Sequence, residues 1–277
     1  MVKKKGTGKV ALVTGASSGI GYEVALQLKD QDFIVYGAAR RVDKMNDLTS
    51  KGIKTLALDV TDEESVLNCV NTILKNEGKI DILINNAGYG SYGAVEDVPI
   101  KEAQSQLDVN LFGLVRMTQA VLPSMRENHY GRIINSSSVA GKVHTPFGAW
   151  YHASKFAVEG LSDCLRMETA EFGIDVVLIE PGGIRTNWGL IAADKLEQTG
   201  ADGAYAQQTK EVASVMRKRY SQKGLTEPAV VAREYVRASI AKRPRTRYLK
   251  GSFSHSLVFL RRVLTDRMYD KIMRKFG

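Results

Sequence analysis

Lys9-Val10-Ala11-Leu12-Val13 is a short apolar run rich in β-branched residues, and it breaks at Thr14-Gly15-Ala16-Ser17-Ser18-Gly19-Ile20-Gly21. An amphipathic segment follows, with Ile20, Val24, Leu26 and Leu28 as its apolar positions. Strand, glycine turn and helix in that order leave few architectures open. The glycines let backbone N–H groups approach a pyrophosphate, and the helix behind them presents its positive N-terminal end to the same anion. A glycine turn can also be a plain tight connection; its place between a first strand and a first helix favours dinucleotide binding.

The same rhythm repeats down the chain. Strand-like runs recur at Phe33–Ala39, Lys54–Asp59, Ile80–Ile84, Arg132–Asn135 and Asp175–Glu180, with helical patterns between them and a short last run at Arg247–Leu249. This alternation predicts an α/β fold: a doubly wound (Rossmann) parallel sheet of about seven strands, helices on both faces, in a single domain. Thr61-Asp62-Glu63-Glu64 has the spacing of a capping box. A long helical pattern from about Ile100 to His129 carries Asn110 near its middle, where asparagine is a mediocre helix residue, hinting at a local task. The rhythm fails between Asn187 and Gly224, which suits a mobile lid over a pocket. The expected organisation is a dinucleotide-binding catalytic domain over 1–250, a substrate lid at about 187–224, and a basic amphipathic extension over 251–277.

Two positions carry chemistry. The second strand ends in Arg40-Arg41, where a nucleotide-binding unit meets the adenosine ribose. A carboxylate there would suit the 2′-hydroxyl of NAD, whereas arginine suits the 2′-phosphate of NADP, so NADP(H) is favoured over NAD(H). Further on, Tyr151 and Lys155 are four apart and share one helix face. A fixed cation close to a phenol lowers its pKa, which would make Tyr151 a general acid/base near neutral pH. The run Ser136-Ser137-Ser138 ends a strand and places a hydroxyl by the same pocket.

Taken together these residues resemble the short-chain dehydrogenase/reductase family in its single-domain form, over roughly Lys9 to Leu249. The motifs occur in the family's order: T-G-x-x-x-G-x-G at Thr14–Gly21, Asp59, N-N-A-G at Asn85–Gly88, Asn110, serine, Y-x-x-x-K, and P-G with a later threonine. The resemblance implies that Gly15, Ser17, Ser18, Gly19, Ile20 and Gly21 hold the pyrophosphate, and that Asp59 and Val60 flank the adenine. It implies that Asn86, Ala87 and Gly88 line the cofactor cleft, and that Pro181, Gly182, Ile184 and Thr186 contact the nicotinamide side. The catalytic tetrad then falls on Asn110, Ser138, Tyr151 and Lys155, with Tyr151 and Lys155 also touching the cofactor and Asn110 holding a water that links Lys155 to solvent. The implied activity is reversible hydride transfer between nicotinamide and a carbonyl or secondary alcohol. A rival reading is a non-catalytic dinucleotide-sensing or scaffold protein on the same fold; the intact tetrad argues against it.

Tyr89, Tyr92, Val95, Val143, Phe147, Trp150 and Trp188 sit on segments expected to rim the pocket. Their apolar and aromatic character favours a small lipophilic carbonyl or alcohol, in the manner of hydroxysteroid and retinol dehydrogenases. Cys69 and Cys164 stand far apart with no metal-ligand spacing around them, and both read as buried apolar residues. No apolar run reaches the ~20 residues of a membrane span, so a cytoplasmic protein is expected.

The formal net charge of +9 is not spread evenly. From Lys242 to Gly277 eleven Lys/Arg face two Asp, which accounts for all of it. No nucleic-acid module surrounds these charges, and no nucleic-acid partner is expected. Leu257, Leu260, Leu264, Met268, Ile272 and Phe276 form one helical stripe, with Arg261, Arg262, Arg267, Lys271, Arg274 and Lys275 elsewhere. Such a helix can fold back on its own domain, meet a sister subunit, or make a weak peripheral contact with an anionic membrane; fold-back or subunit contact is favoured. The resemblance implies a homodimer or homotetramer built on the helices around Asn110 and Lys155.

Overall fold

Seven parallel strands form one sheet in the order β3-β2-β1-β4-β5-β6-β7: β1 Val10–Thr14, β2 Ile34–Ala39, β3 Lys54–Ala57, β4 Ile82–Asn85, β5 Gly131–Ser136, β6 Ile174–Pro181 and β7 Arg247–Lys250. The structure, a computed structural model, describes residues 6–221 and 224–276; Lys3-Lys4-Lys5, the side chains of Lys275 and Phe276, and Gly277 lie outside the described residues. A parallel strand covered on both faces should alternate between two cores, and β1 does. Ala11 and Val13 point into a cluster with Val24, Ala25 and Leu28 of helix α1 (Gly19–Lys29) and Val231, Ala232 and Tyr235 of α9 (Pro228–Ile240). Val10 and Leu12 point the other way, to Val66, Val70 and Ile73 of α3 (Glu63–Glu77) and Met117, Val121 and Met125 of α5 (Gly113–Glu127).

The remaining helices are α2 (Asn46–Ser50), α4 (Ile100–Leu107), α6 (Ala149–Thr169), α7 (Trp188–Thr199), α8 (Ala206–Ser221), α10 (Ser254–Val263) and α11 (Asp266–Phe276). Strand order reverses beside β1, so the connections after β1 and β4 part there and leave a crevice at the carboxyl ends of the strands. Thr14 stitches its floor: its hydroxyl donates to the Ile84 carbonyl at 3.2 Å and accepts from the N–H groups of Asn86 and Ala87, each at 3.0 Å.

Several local expectations are corrected. The expected capping box is not made: Asp62 caps α3, accepting from the Ser65 N–H at 3.1 Å, because the Thr61 hydroxyl is taken by Asp59 Oδ1 at 2.7 Å. The segment expected as a mobile lid is a helical hairpin, α7 against α8, closed by Ala193, Leu196, Val212 and Ala213 and packed on Tyr92 and Phe147. The C-terminal stripe is not one helix but two, since the backbone is extended at Leu264. Their inner face is carried by Tyr269 and Met273, which pack on Val143; Met268, expected in the stripe, is 53% exposed. Cys69 is buried as expected, and burial pushes its thiol up to about 12, whereas Cys164 is exposed. The long helical pattern around Asn110 is interrupted by a π turn, Asp108–Phe112, between α4 and α5.

Candidate active site

A cavity of about 1220 Å³ runs along the carboxyl ends of the strands. At one end it is lined by Gly15, Ser17, Ser18, Gly19 and Ile20, with Arg40, Arg41, Asp59 and Val60 beside them. Gly15 and Gly19 adopt φ of 67° and 59°, the left-handed conformation that side chains disfavour, and this turns the chain tightly into α1. The entrance to α1 is electrically open: Ser18 caps it with no side-chain hydrogen bond, and no acidic residue stands in its first turn. Free N–H groups at a helix start that face a cavity are what phosphate oxygens bind, so these residues fit a dinucleotide's pyrophosphate. Gly21, expected with them, does not line the cavity. A Cβ there would lie 2.5 Å from the Asn86 side-chain nitrogen and from the Gly15 carbonyl oxygen, so its role is close packing of α1 behind the turn.

Arg40 and Arg41 are exposed at the end of β2. Burial raises the Asp59 carboxyl, but hydrogen bonds from Thr61 and the charge of Arg40 outweigh it and hold the group below its ordinary value. Arg40 lines the cavity beside the ionised Asp59.

Asn86, Ala87 and Gly88, after β4, and Pro181, Gly182, Ile184 and Thr186, at and beyond the end of β6, also line the cavity. Beyond them Ser138, Tyr151 and Lys155 come together. Helix α6 begins at Ala149, so Tyr151 and Lys155 lie in its first turns, both almost fully buried. Lys155 Nζ donates to the Ser136 carbonyl at 2.8 Å and stands 5.9 Å from the centre of the Tyr151 ring. Of the three serines, Ser136 shares its hydroxyl with Tyr235 at 2.6 Å, while Ser138 donates to the Pro181 carbonyl at 3.3 Å, accepts from the Ala140 N–H at 3.1 Å and is the one that acts on the Tyr151 phenol, pulling its pKa down.

Asn110 does not line the cavity; it stands behind Gly88. The π turn aims its amide at the neighbouring loop, where Nδ2 donates to the Tyr89 carbonyl at 2.9 Å and to Ser154 Oγ at 3.1 Å, and Oδ1 accepts from the Tyr89 N–H at 3.0 Å. π turns of this kind gather at functional sites. A Cβ on Gly88 would sit 3.0 Å from Asn110 Oδ1 and 3.8 Å from Lys155 Nζ, so the glycine keeps open the gap between them.

The electrostatics differ from the sequence expectation in one respect. Burial pushes the Tyr151 phenol well up, against the Ser138 hydrogen bond, and Lys155 does not reverse it. The cause is the aromatic cover. The Tyr151 ring lies 5.0 Å from Trp188 and 5.9 Å from Tyr92, and Trp188 in turn meets Tyr220 at 6.3 Å, so a phenolate there would lack solvent. Lys155 shares the burial, which lowers it to about 8 although Glu159, one turn along α6, favours its charge. Glu159 is itself buried with Glu180, and both take Lys142 and Arg247 as counter-charges: Lys142 at 2.6 Å and Arg247 at 3.1 Å from Glu159, 3.5 and 3.3 Å from Glu180. Burial and the facing Glu159 raise Glu180 to about 7.

Of the expected rim residues, Tyr89, Tyr92, Val143 and Trp188 line the cavity, whereas Val95, Phe147 and Trp150 do not. The far wall is completed by residues that carry no motif: Val212, Val215, Met216 and Tyr220 of α8, and Leu257, Leu260, Ile272 and Met273 of the C-terminal helices. The i, i+3, i+4, i+8 spacing on α8 was the available signal, and it says only that one face is covered.

Known proteins agree with this geometry. A family model described as short chain dehydrogenase matches residues 9–197. A probable short-chain type dehydrogenase/reductase, VdlC, of Helicobacter pylori is 37% identical over 265 residues, 96% of each chain. The 3-ketodihydrosphingosine reductase of Bacteroides thetaiotaomicron is 43% identical over 180 residues, 65% of each chain. Among solved structures, a metagenomic short-chain oxidoreductase in complex with NADP superposes with a TM-score of 0.70 at 25% identity, covering 89% of this chain and 98% of that one. Likeness along nearly the whole chain, joined to an open helix end and a buried tyrosine and lysine on one cavity, settles the kinship: the chain belongs to the short-chain dehydrogenases/reductases, oxidoreductases that work with a nicotinamide dinucleotide.

Proposed function

We propose that this oxidoreductase uses NADP(H) to interconvert a lipophilic ketone and its secondary alcohol, with reduction as its working direction. One observation carries the reading: a single cavity joins the open start of α1 and the Arg40 guanidinium to Ser138, Tyr151 and Lys155, then continues over an apolar far wall. The nicotinamide ring, when bound, supplies or accepts the hydride. The chain's residues do the rest. Gly15, Ser17, Ser18, Gly19 and Ile20 bind the pyrophosphate, Arg40 with Arg41 beside it takes the 2′-phosphate, and Asp59 and Val60 flank the adenine. Asn86, Ala87 and Gly88 on one side and Pro181, Gly182, Ile184 and Thr186 on the other hold the nicotinamide half, with Lys155 at its ribose.

Tyr151 donates its phenolic proton to the oxygen of the substrate as negative charge develops there, and Ser138 hydrogen-bonds the same oxygen. A phenol kept protonated by its aromatic cover is in the form that a reductive turnover uses, which supports that direction. Lys155 and Asn110 flank the gap beside Gly88, and the second lone pair of Asn110 Oδ1 can hold a water there that returns the proton. The substrate class follows from the far wall and accords with the Bacteroides relative, named for a sphingoid ketone.

The test is NADPH and NADH oxidation against a panel of aldehydes, ketones, quinones and steroids. Turnover confined to small polar carbonyls, or equal efficiency with both nucleotides, would defeat the corresponding half of the proposal. The exposed Phe112, Phe156 and Met167, on the π turn and α6, support a homodimer or homotetramer through these helices. Light scattering that gives a monomer would remove that part.

A further inference from the structure

We propose that the outer face of α10 and α11, with the adjoining rim of the cavity, docks on an anionic lipid bilayer, so that substrate passes between membrane and active site. The docking half stands on the surface alone; the passage of substrate rests on the lipophilic reading above.

Packing of the two helices on the domain is already complete on their inner face, where Tyr269 and Met273 close on Val143, flanked by Val139, Leu257 and Leu264. The outer face nevertheless keeps large apolar groups in water: Phe259 is 62% exposed, Val263 57% and Met268 53%. Interleaved with them are Arg262, Arg267, Lys271 and Arg274, all exposed, and none makes an ion pair among the described residues. Scattered apolar side chains on a surface need no account; apolar groups set among unneutralised cations do. Two copies of this face would bring like charges together, because residues 242–277 hold the whole net charge of the chain. An anionic bilayer meets both halves of the pattern, with headgroup charge for the cations and an acyl boundary for the rings and chains.

The cavity opens at the same place. Ile191, Val215 and Phe253 line it and are nevertheless exposed, and Phe253 leads directly into α10, whose Leu257 and Leu260 continue the wall. Phe253 is held at φ 65°, an outlying backbone conformation for a bulky residue, with the Arg219 guanidinium 5.9 Å from its ring centre. A strained, water-facing ring at a cavity mouth, with a cation over it, repeats the apolar-plus-basic chemistry of the tail helices. No described helix is long and apolar enough to cross a membrane, so the contact is peripheral.

The experiment floats the full chain with vesicles of equal parts phosphatidylcholine and phosphatidylglycerol, and with phosphatidylcholine alone. The parent is expected to rise with the anionic vesicles and to be released by high salt. A triple variant, Arg262→Glu, Arg267→Glu and Lys271→Glu, should lose binding about ten-fold or more, and Phe259→Ser with Met268→Ser about three-fold or more. Both variants should turn over a water-soluble ketone at the parent rate, which shows that they are folded. The proposal is overturned if the parent stays at the bottom with anionic vesicles, if the triple variant rises as well as the parent, or if sedimentation shows this face buried in a dimer that the triple variant dissociates. A protein that floats but reduces no lipophilic ketone retires the substrate reading and leaves docking intact; one that reduces it and never floats does the reverse.

Discussion

The two ends of the cavity are built on different plans. At the nucleotide end the walls are the carboxyl ends of strands, the turns that follow them and the first turn of α1, fixed by ladder hydrogen bonds and by Thr14 bridging β1 to β4. At the far end the walls are whole helices, α7, α8, α10 and α11, held by side-chain packing. A site made of backbone N–H groups needs glycines at set spacings, so it leaves a written motif. A site made of apolar side chains needs only cover, which many sequences supply. The first plan suits a constant ligand, and the second lets the same chemistry meet different substrates.

Substitutions at each end sharpen this contrast. The largest effect is expected where the two ends meet: Tyr151→Phe should lower turnover by about 10³-fold while NADPH affinity stays within about three-fold, measured by NADPH oxidation and by fluorescence titration. Equal turnover in the two proteins would break the assignment of the proton donor. At the nucleotide end, Arg40→Ala should weaken NADPH by roughly 10–100-fold and leave NADH nearly unchanged, since one charge-assisted phosphate contact is lost. A matching loss for both nucleotides would place Arg40 away from the 2′-position.

At the far end effects should be smaller and should fall on substrate. Trp188→Ala removes the ring 5.0 Å from Tyr151 and should raise KM for a lipophilic ketone by about ten-fold, with kcat changed less, and Trp188→Phe should restore most of it. The smallest effect concerns stability. Glu180 is raised to about 7 from 4.5 in the folded chain, so between those pH values the native state binds the extra proton and stability falls as pH rises. Glu180→Gln imitates the protonated form and should cancel that fall, giving a Tm about 3–6 °C above the parent at pH 7.5 and equal to it near pH 4.5, by thermal melts at both values. Parallel pH curves would show that the carboxyl does not titrate there.

Legibility in the sequence follows the same divide. Strand positions came through because a doubly covered strand must be apolar throughout, and residues 10–13 or 176–179 admit no other reading. The first turns of the helix that carries Tyr151 and Lys155 also sit where spacing places them, while the choice among the three serines comes from the resemblance. What spacing cannot supply is the local dielectric. Tyr151 and Lys155 four apart suggested an acidified phenol, but Tyr92, Trp188 and Tyr220 arrive from three other segments and reverse the balance. Gly21 belongs to the motif and so reads as a ligand contact, whereas only the fold reveals Asn86 behind it. The tail stripe reads as one helix because periodicity is blind to a single extended residue such as Leu264.

The π turn that carries Asn110 also fixes a phase. One surplus residue in a turn rotates everything downstream by about 100° relative to a straight helix. With the surplus in place, Ala103 and Gln106 before it and Leu114, Met117 and Val121 after it all reach the interior. Deleting one residue between 108 and 112 would remove the surplus and leave a plain α-helix whose two halves keep the phase they have now, so what the surplus residue secures is the aim of the Asn110 amide at the neighbouring loop.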